Sequence, residues 1–326
     1  MYDLVYNESL KLIKRKRFYV VLLILIVLIP LFTYAQFRSA EVARSQIGTD
    51  DWRTMLQQKI VDTQNRLASS RIPPEWRDYL ETQLSLQQYY LDHNIDPSSP
   101  GAVTFARGFM DQAISLFLPM MIVILAVDLV SSEFSEGTIK LLLTRPVKRW
   151  KILTSKFITL FLFTSLTIVV SLLFSYVISG IVFGYSGWTM PVLTGFTFSA
   201  DTLDTSSVFV LEQWKYILMQ YGLGWFVCMV IGAISMMISV LVRSTAAGMG
   251  IMMAALVSGV ILTQMAANWE QAKYLFNVNL QLTSYLAGTL PPIKGMSLPF
   301  SLSVLSIWGI ISMIVAYVVF IRQDVR

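Results

Sequence analysis

The chain has one cysteine, Cys228, and one histidine, His93. A lone thiol inside an apolar run builds no disulfide framework and no cysteine metal cluster. His93 lies in a polar stretch, which leaves imidazole-based metal or triad chemistry without partners. Charge is scarce as well: 14% of residues are charged, against about a quarter in a soluble domain. No Gly-x-x-x-x-Gly-Lys-Ser/Thr run occurs, so the usual loop for cradling ATP is missing. Intramembrane hydrolysis lacks a Gly-x-Ser-x-Gly run and a histidine within an apolar stretch. The apolar stretches also lack the spaced charges of proton- or sodium-coupled carriers.

What remains is hydrophobic, at 55% of the chain. Apolar runs of about 20 residues recur, the length a helix needs to cross hydrocarbon. They predict spans over 18–35, 112–130, 157–183, 214–242, 245–267 and 300–321. Lys14 to Arg17 ahead of the first run resemble a signal peptide, but Pro30, Phe32, Tyr34 and Phe37 offer no small-residue cleavage site, so that run reads as an uncleaved first span. Lys11, Lys14, Arg15, Lys16 and Arg17 share one side with Lys140, Arg145, Lys148, Arg149, Lys151, Lys156, Arg243, Arg322 and Arg326. By the positive-inside rule both termini are then cytoplasmic, in a bacterial plasma membrane. The net charge of +5 reads as topology and not as nucleic-acid binding.

The expected fold is an all-α polytopic membrane protein with six transmembrane helices, an N-terminal amphipathic interfacial helix and an extracellular helical hairpin between spans one and two. Residues 1–17 form the cytoplasmic connecting helix, with Tyr2, Val5, Tyr6, Leu12 and Ile13 on one side and Asp3, Asn7, Lys11 and Lys14 on the other. Its basic face would meet anionic headgroups. Residues 18–326 form the transmembrane unit, with 36–107 as the external insertion. Leu56, Ile60, Thr63 and Leu67 keep a helical period, and Leu80, Leu84 and Leu91 resume it after Pro73-Pro74. This hairpin is either a spacer and dimer contact or a receptor for a substrate or partner. Two further external segments, 184–213 and 268–299, are rich in aromatics, Gly and Pro, and the second suggests short helices at headgroup depth. Gly180–Gly184 and Ala246–Gly250–Ala254 permit close helix contact. Methionines such as Met110, Met121, Met236 and Met252 offer an adaptable lining or plain packing.

The segment from Ser132 to Lys151 is more elaborate than a passive turn. Gly137 tolerates left-handed dihedrals and ends the second span. Thr138 can cap a new short helix. Ile139, Leu141, Leu142 and Leu143 make that helix apolar, and exposed leucines in water mark a docking surface. Arg145-Pro146 stops it, and Pro146 suits the first turn of the next helix. Asp128, near the same end, is costly against lipid and is expected to face protein, paired or capping, in preference to a proton relay.

On Glu133, Gly137, Thr138, Leu142, Leu143, Pro146, Arg149 and Lys156 the run resembles the loop after the second span of ABC-2 type permeases, the membrane subunits of ABC exporters. Glu8 and Lys11 match a common Glu-x-x-Lys pattern of that family, and Phe320 to Val325 resembles its Phe-x-x-(Arg/Lys)-Asp ending. Phe134-Ser135 departs from the family's second acidic-basic pair. The resemblance implies that 137–146 is a coupling helix, with Leu141 on its docking face, pushed by a separate ABC ATPase subunit that holds ATP and Mg. It implies no cofactor in this chain, no enzymatic activity of its own, and pairing with a second permease chain, identical or related. The expected cargo is hydrophobic peptides, antibiotics or lipid-like molecules, as in multidrug or antimicrobial peptide resistance; the substrate path is not assigned. The contrasting readings are a membrane receptor or scaffold, or a toxin-immunity protein, acting through the external hairpin without transport.

Overall fold

The computed structural model describes residues 1–47, 51–69, 74–97, 101–138, 147–199, 202–204, 207–265 and 269–322. Among them six helices are long and apolar enough to cross a bilayer. They are α2 (Arg17–Ile47), α6 (Phe117–Ser135), α7 (Arg149–Phe183), α8 (Gln213–Val242), α9 (Thr245–Met265) and α11 (Leu298–Arg322). A helix satisfies its backbone groups internally, which is why such runs take that form in lipid. Helix α1 (Tyr2–Lys14) precedes them, α3 (Trp52–Leu67), α4 (Pro74–Asp92) and α5 (Ala102–Ala113) fall between α2 and α6, and α10 (Leu282–Leu286) precedes α11.

Helix α6 is the centre of the bundle, with 78% of its apolar window buried. It packs on α8, and a polar stitch joins these two to α9. Ser239 Oγ donates to the Val127 carbonyl at 2.7 Å and accepts from the Ser131 amide at 2.8 Å. Ser131 Oγ then meets Thr245 Oγ1 at 2.9 Å. Helix α7 runs along α5 and α2 through a face of Ser155, Thr159, Phe163, Thr167, Ser171, Ser175 and Ser179, all buried. Four-residue spacing puts them on one stripe. Small residues there let neighbouring backbones approach. The hydroxyls of Ser155, Thr167, Ser171 and Ser175 are spent on carbonyls of α7 itself, so the stripe buries no orphaned donor from them.

The structure moves three expected features. The first span helix does not end at Ala35 but continues to Ile47. No Gly or Pro occurs between Gln36 and Ile47 to stop it, and Arg38 pairs with Glu41 at 2.8 Å one turn on. The second span does not begin at Gln112. A break after α5 separates it from α6, placing Pro119 in the first turn of α6, where a missing N–H costs nothing. The fold is mostly helical but not wholly so. Antiparallel ladders join β1 (Pro191–Thr194) to β4 (Phe209–Glu212) and β2 (Thr197–Ser199) to β3 (Thr202–Asp204). Their Val, Thr and Phe content favours a pleated, half-buried surface.

These ladders sit at the end of the bundle where α3 and α4 lie. Leu56, Ile60 and Leu80 are buried in the α3–α4 pair, and the Asp51 carboxylate accepts from the Arg53 amide at 3.2 Å to cap α3. Ile95, Leu193 and Phe196 form a small separate core with Tyr89 and Tyr90. The aromatic-rich segment before α11 contains two short 3-10 turns, Glu270–Tyr274 and Phe276–Val278, as well as α10. Of the helical methionines, Met110, Met121, Met236 and Met252 are buried, and Met120, Met237, Met249 and Met253 are partly exposed.

Helix α9 passes close to the second 3-10 turn at Gly259. A Cβ there would lie 2.6 Å from Asn277 Cβ and 2.9 Å from the Asn277 carbonyl oxygen, neither of which yields cheaply. Gly259→Leu should therefore lower the thermal midpoint of the detergent-solubilised protein, through an overpacking cost of about 1–3 kcal/mol. Gly250→Ala, with nothing within 4 Å of the new methyl, should leave the midpoint unchanged or raise it.

Candidate functional site

Helix α1 carries Asp3 in its first turn and Lys11 and Lys14 in its last, the charge order that a helix dipole favours. Lys16 takes a left-handed φ of 59° and turns the chain into α2. The result lays α1 across the acidic end of α6 and the basic start of α7. Its inward residues are Glu8 and Leu12, while Tyr2 and Tyr6 stay exposed and stacked on each other at 6.3 Å. The face expected to hold all the apolar residues is thus divided. Lys11, expected to face headgroups, turns instead toward two carboxylates.

Beneath α1 lies a buried ion cluster. Lys156 is fully buried and its ammonium reaches Glu8 Oε2 at 2.7 Å, Glu133 Oε1 at 2.9 Å and the Leu129 carbonyl at 2.6 Å. An ammonium has three protons, and here each has an acceptor. Lys11 Nζ donates to Glu8 Oε1 at 2.8 Å and to Glu133 Oε1 at 2.7 Å. Burial alone pushes the Lys11 ammonium down, but the Glu133 and Glu8 charges more than offset it, and its pKa stands above the ordinary lysine value. A second group continues the cluster along α6. Arg17 Nη2 lies 3.3 Å from Asp128 Oδ1, and Arg15 reaches Asp128 at 3.7 Å, Glu136 at 2.6 Å and the Ser132 hydroxyl. Glu8, Glu133, Asp128 and Glu136 are thereby matched by Lys11, Lys156, Arg15 and Arg17. Such pairing is what permits Glu8, Glu133, Asp128 and Lys156 to stay buried.

The arrangement gathers Glu8, Lys11 and Glu133 at one point and sends the other sequence-derived candidates elsewhere. Arg149 donates to the Ile321 carbonyl at 3.1 Å, tying the start of α7 to the end of α11. Gly137 does adopt the left-handed conformation, with φ 68°. Thr138 Oγ1 turns back to the Glu133 carbonyl at 3.5 Å, closing α6. Its expected partner helix, with Leu141, Leu142, Leu143 and Pro146, lies outside the described residues. Lys156 entered the sequence reading as charge bias and as the last residue of the family pattern, with no role assigned, yet it is the innermost member of the cluster. The signal for it was a lysine eight residues into an otherwise apolar helix, which has to find an anion. Asp128 is paired as expected of an acid in that position.

A second polar group sits toward the opposite end, where sequence reasoning assigned nothing. Gln220 Nε2 donates to Asp111 Oδ1 at 2.7 Å and to the Arg107 carbonyl at 3.0 Å. Tyr221 Oη donates to the Ala106 carbonyl at 3.1 Å. Burial raises the Asp111 carboxyl pKa, against hydrogen bonds from Thr283 and Gln220 that lower it. These contacts fasten α5 to α8 and read as structural.

Comparison with known proteins corrects the family resemblance. The family model that matches, over residues 80–326, is described as a protein of unknown function, DUF2705. The matching residues include the whole Glu133–Lys156 run, and the match is not to ABC-2 type permeases, so that assignment falls away. Among the described residues its motif consists of a left-handed Gly and a buried Glu–Lys pair. A basic turn between two apolar helices requires much the same parts whatever its family. The chain is 30% identical to the uncharacterized protein YhcI of Bacillus subtilis, over all of this chain and 99% of that protein. It is 27% identical to the uncharacterized membrane protein YdbK of the same organism, over 66% of this chain and 80% of that one. With three quarters of its length matched by one family model and full-length similarity to YhcI, the chain belongs to the DUF2705 family.

Proposed function

We propose that this chain is the membrane subunit of an exporter driven by a separate ATPase, and that the basic end of the bundle receives the push. The observation that carries this reading is the Lys156 cluster, which ties α1, α6 and α7 together through Glu8 and Glu133. A force applied to α1, or to the connection between α6 and α7, would then reach two spans as one body. The leucines at 141–143 would form the docking surface, with Gly137, Thr138, Pro146 and Arg149 framing it. In this reading ATP and Mg belong to the partner, and this chain has no catalytic residues.

The rest of the reading follows from charge and exposure. The basic end is cytoplasmic and holds both termini, in a bacterial plasma membrane. Helix α1 lies in that interface, its Tyr2 and Tyr6 toward lipid headgroups. The α3–α4 pair stands as a hairpin on the extracellular side. A second copy or a related chain completes the path, and the cargo is hydrophobic or amphipathic. One observation favours a contrasting reading: α4 and the β ladders share the small core around Ile95 and Phe196, which makes the outer layer a firm platform. A receptor, scaffold or toxin-immunity protein would use such a platform to bind a partner without transport.

Four outcomes test these readings. Leu142→Asp combined with Leu143→Asp should abolish co-purification of an ATPase encoded beside the gene while leaving the thermal midpoint unchanged; unaltered association overturns the docking assignment. Lys156→Met leaves two buried carboxylates short of a partner and should cost about 3–5 kcal/mol, read as a lower thermal midpoint and new protease cleavage within residues 1–16. Because the Lys11 pKa is raised, its contribution is complete at neutral pH and is lost only as pH climbs above the ordinary lysine value. Protection of α1 from protease should accordingly stay flat through neutrality and fall on the alkaline side. If deletion of 51–92 removes biological activity while the ATPase proves irrelevant, the receptor reading replaces the exporter.

A further inference from the structure

We infer that the groove between α7, α8 and α11 binds an acyl chain of an anionic phospholipid, with the phosphate at the basic rim of that groove. The groove has a volume of about 510 Å³, and its walls are Phe157, Phe161, Phe226, Met229, Ile310 and Met313. Gly309 and Ala233 add no bulk to its floor. Along α11 it extends from Ser306 to Tyr317, about 16 Å at the helical rise. That is the shape of an extended hydrocarbon chain and not of a compact ligand. The methionine and phenylalanine walls are soft and adapt to such a chain. Ile310 and Met313 are 57% and 42% exposed, so lipid or protein must cover them in a bilayer.

Polarity is confined to the ends of the groove. At the inner end the Ser306 hydroxyl is turned back to the Leu302 carbonyl at 2.7 Å. At the other end Thr154 Oγ1 and Tyr317 Oη meet at 2.7 Å. Just beyond that pair lie Arg149, Trp150 and Lys151 at the start of α7 and Arg322 at the end of α11. The Arg149 bond to the Ile321 carbonyl shows how close these two helix ends are. Lys151 sits over the Trp150 ring at 5.7 Å, an aromatic-cation pair of the kind found at headgroup depth. Helix α7 begins there with no side-chain cap, so its first N–H groups add to the site's attraction for a phosphate.

The sign of the charge selects the occupant. Helices α7, α8 and α11 contain no Asp or Glu, so among the described residues the rim is cationic and prefers an anionic headgroup to a zwitterionic one. The same charge argues against a second copy of this chain as the occupant. In a two-fold contact the patch would face itself, bringing like charges together. This inference stands on the groove and its rim and does not depend on the exporter reading.

The test is native mass spectrometry of the full-length protein in detergent, titrated with phosphatidylglycerol or phosphatidylcholine. The wild type should retain phosphatidylglycerol several-fold better. Lys151→Gln with Arg322→Gln should bring that retention down to the phosphatidylcholine level. Gly309→Phe, which fills the groove, should reduce retention of both lipids; the nearest neighbour of a Cβ there is Val230 at 3.5 Å, so the backbone has room. Should that variant not fold, Met313→Trp narrows the groove from its exposed edge and should act the same way. Equal retention of the two lipids by the wild type overturns the proposal. So does a groove-filling variant that shifts the monomer–dimer ratio while phosphatidylglycerol binding persists, which would make a second copy the occupant.

Discussion

A lysine ammonium two turns inside a helix bundle has to find as many acceptors as it has protons. Lys156 finds them on two other helices: a glutamate of α1, and a glutamate and a backbone carbonyl of α6. Desolvating such a group costs several kcal/mol, and only full pairing returns it. The position of α1 follows from this requirement. Without Glu8 beneath it, that helix would have only Leu12 turned well into the bundle. Its firm seat across α6 and α7 is therefore set by electrostatics more than by apolar area. Arg15 and Arg17 extend the same logic along α6 to Asp128, so the chain's first turn into lipid is also fixed by charge.

The bundle's interior is held in a complementary way, by small hydroxyl side chains that let helices approach closely. The Ser and Thr stripe on α7 and the Ser131–Ser239–Thr245 stitch both combine close packing with local satisfaction of their donors. In hydrocarbon there is little hydrophobic drive between helices, so van der Waals fit and hydrogen bonding carry the association. One end of the molecule is thus organised by paired charge and the middle by shape.

Much of this was legible in the residues. Apolar runs located all six spanning helices because length and hydropathy are strong signals. The ends were less legible. Pro119 was hidden inside an apolar run, and the break before it separates α5 from α6 only because α5 has partners of its own on α7 and α8. The far extension of α2 required noticing that Gln36–Ile47 lacks any breaker. The ladders at 191–212 escaped because short strands pair through backbone groups that leave little periodicity to read. At the site, Glu8, Lys11 and Glu133 were singled out together, but through a family pattern that the comparisons do not support. What brings them together physically is Lys156, whose importance depends on three helices meeting, a fact that no local pattern encodes.

The uninterrupted course of α2 has a mechanical corollary. At 31 residues it is about 46 Å long, well beyond the roughly 30 Å of a hydrocarbon layer. Its first residue, Arg17, is anchored to Asp128, and its last turns emerge on the side of the α3–α4 pair. Any tilt imposed at the anchored foot must swing the far tip through a wide arc. Pro30, which interrupts the internal bonding near the middle, is where such a mast would bend if its tip were held.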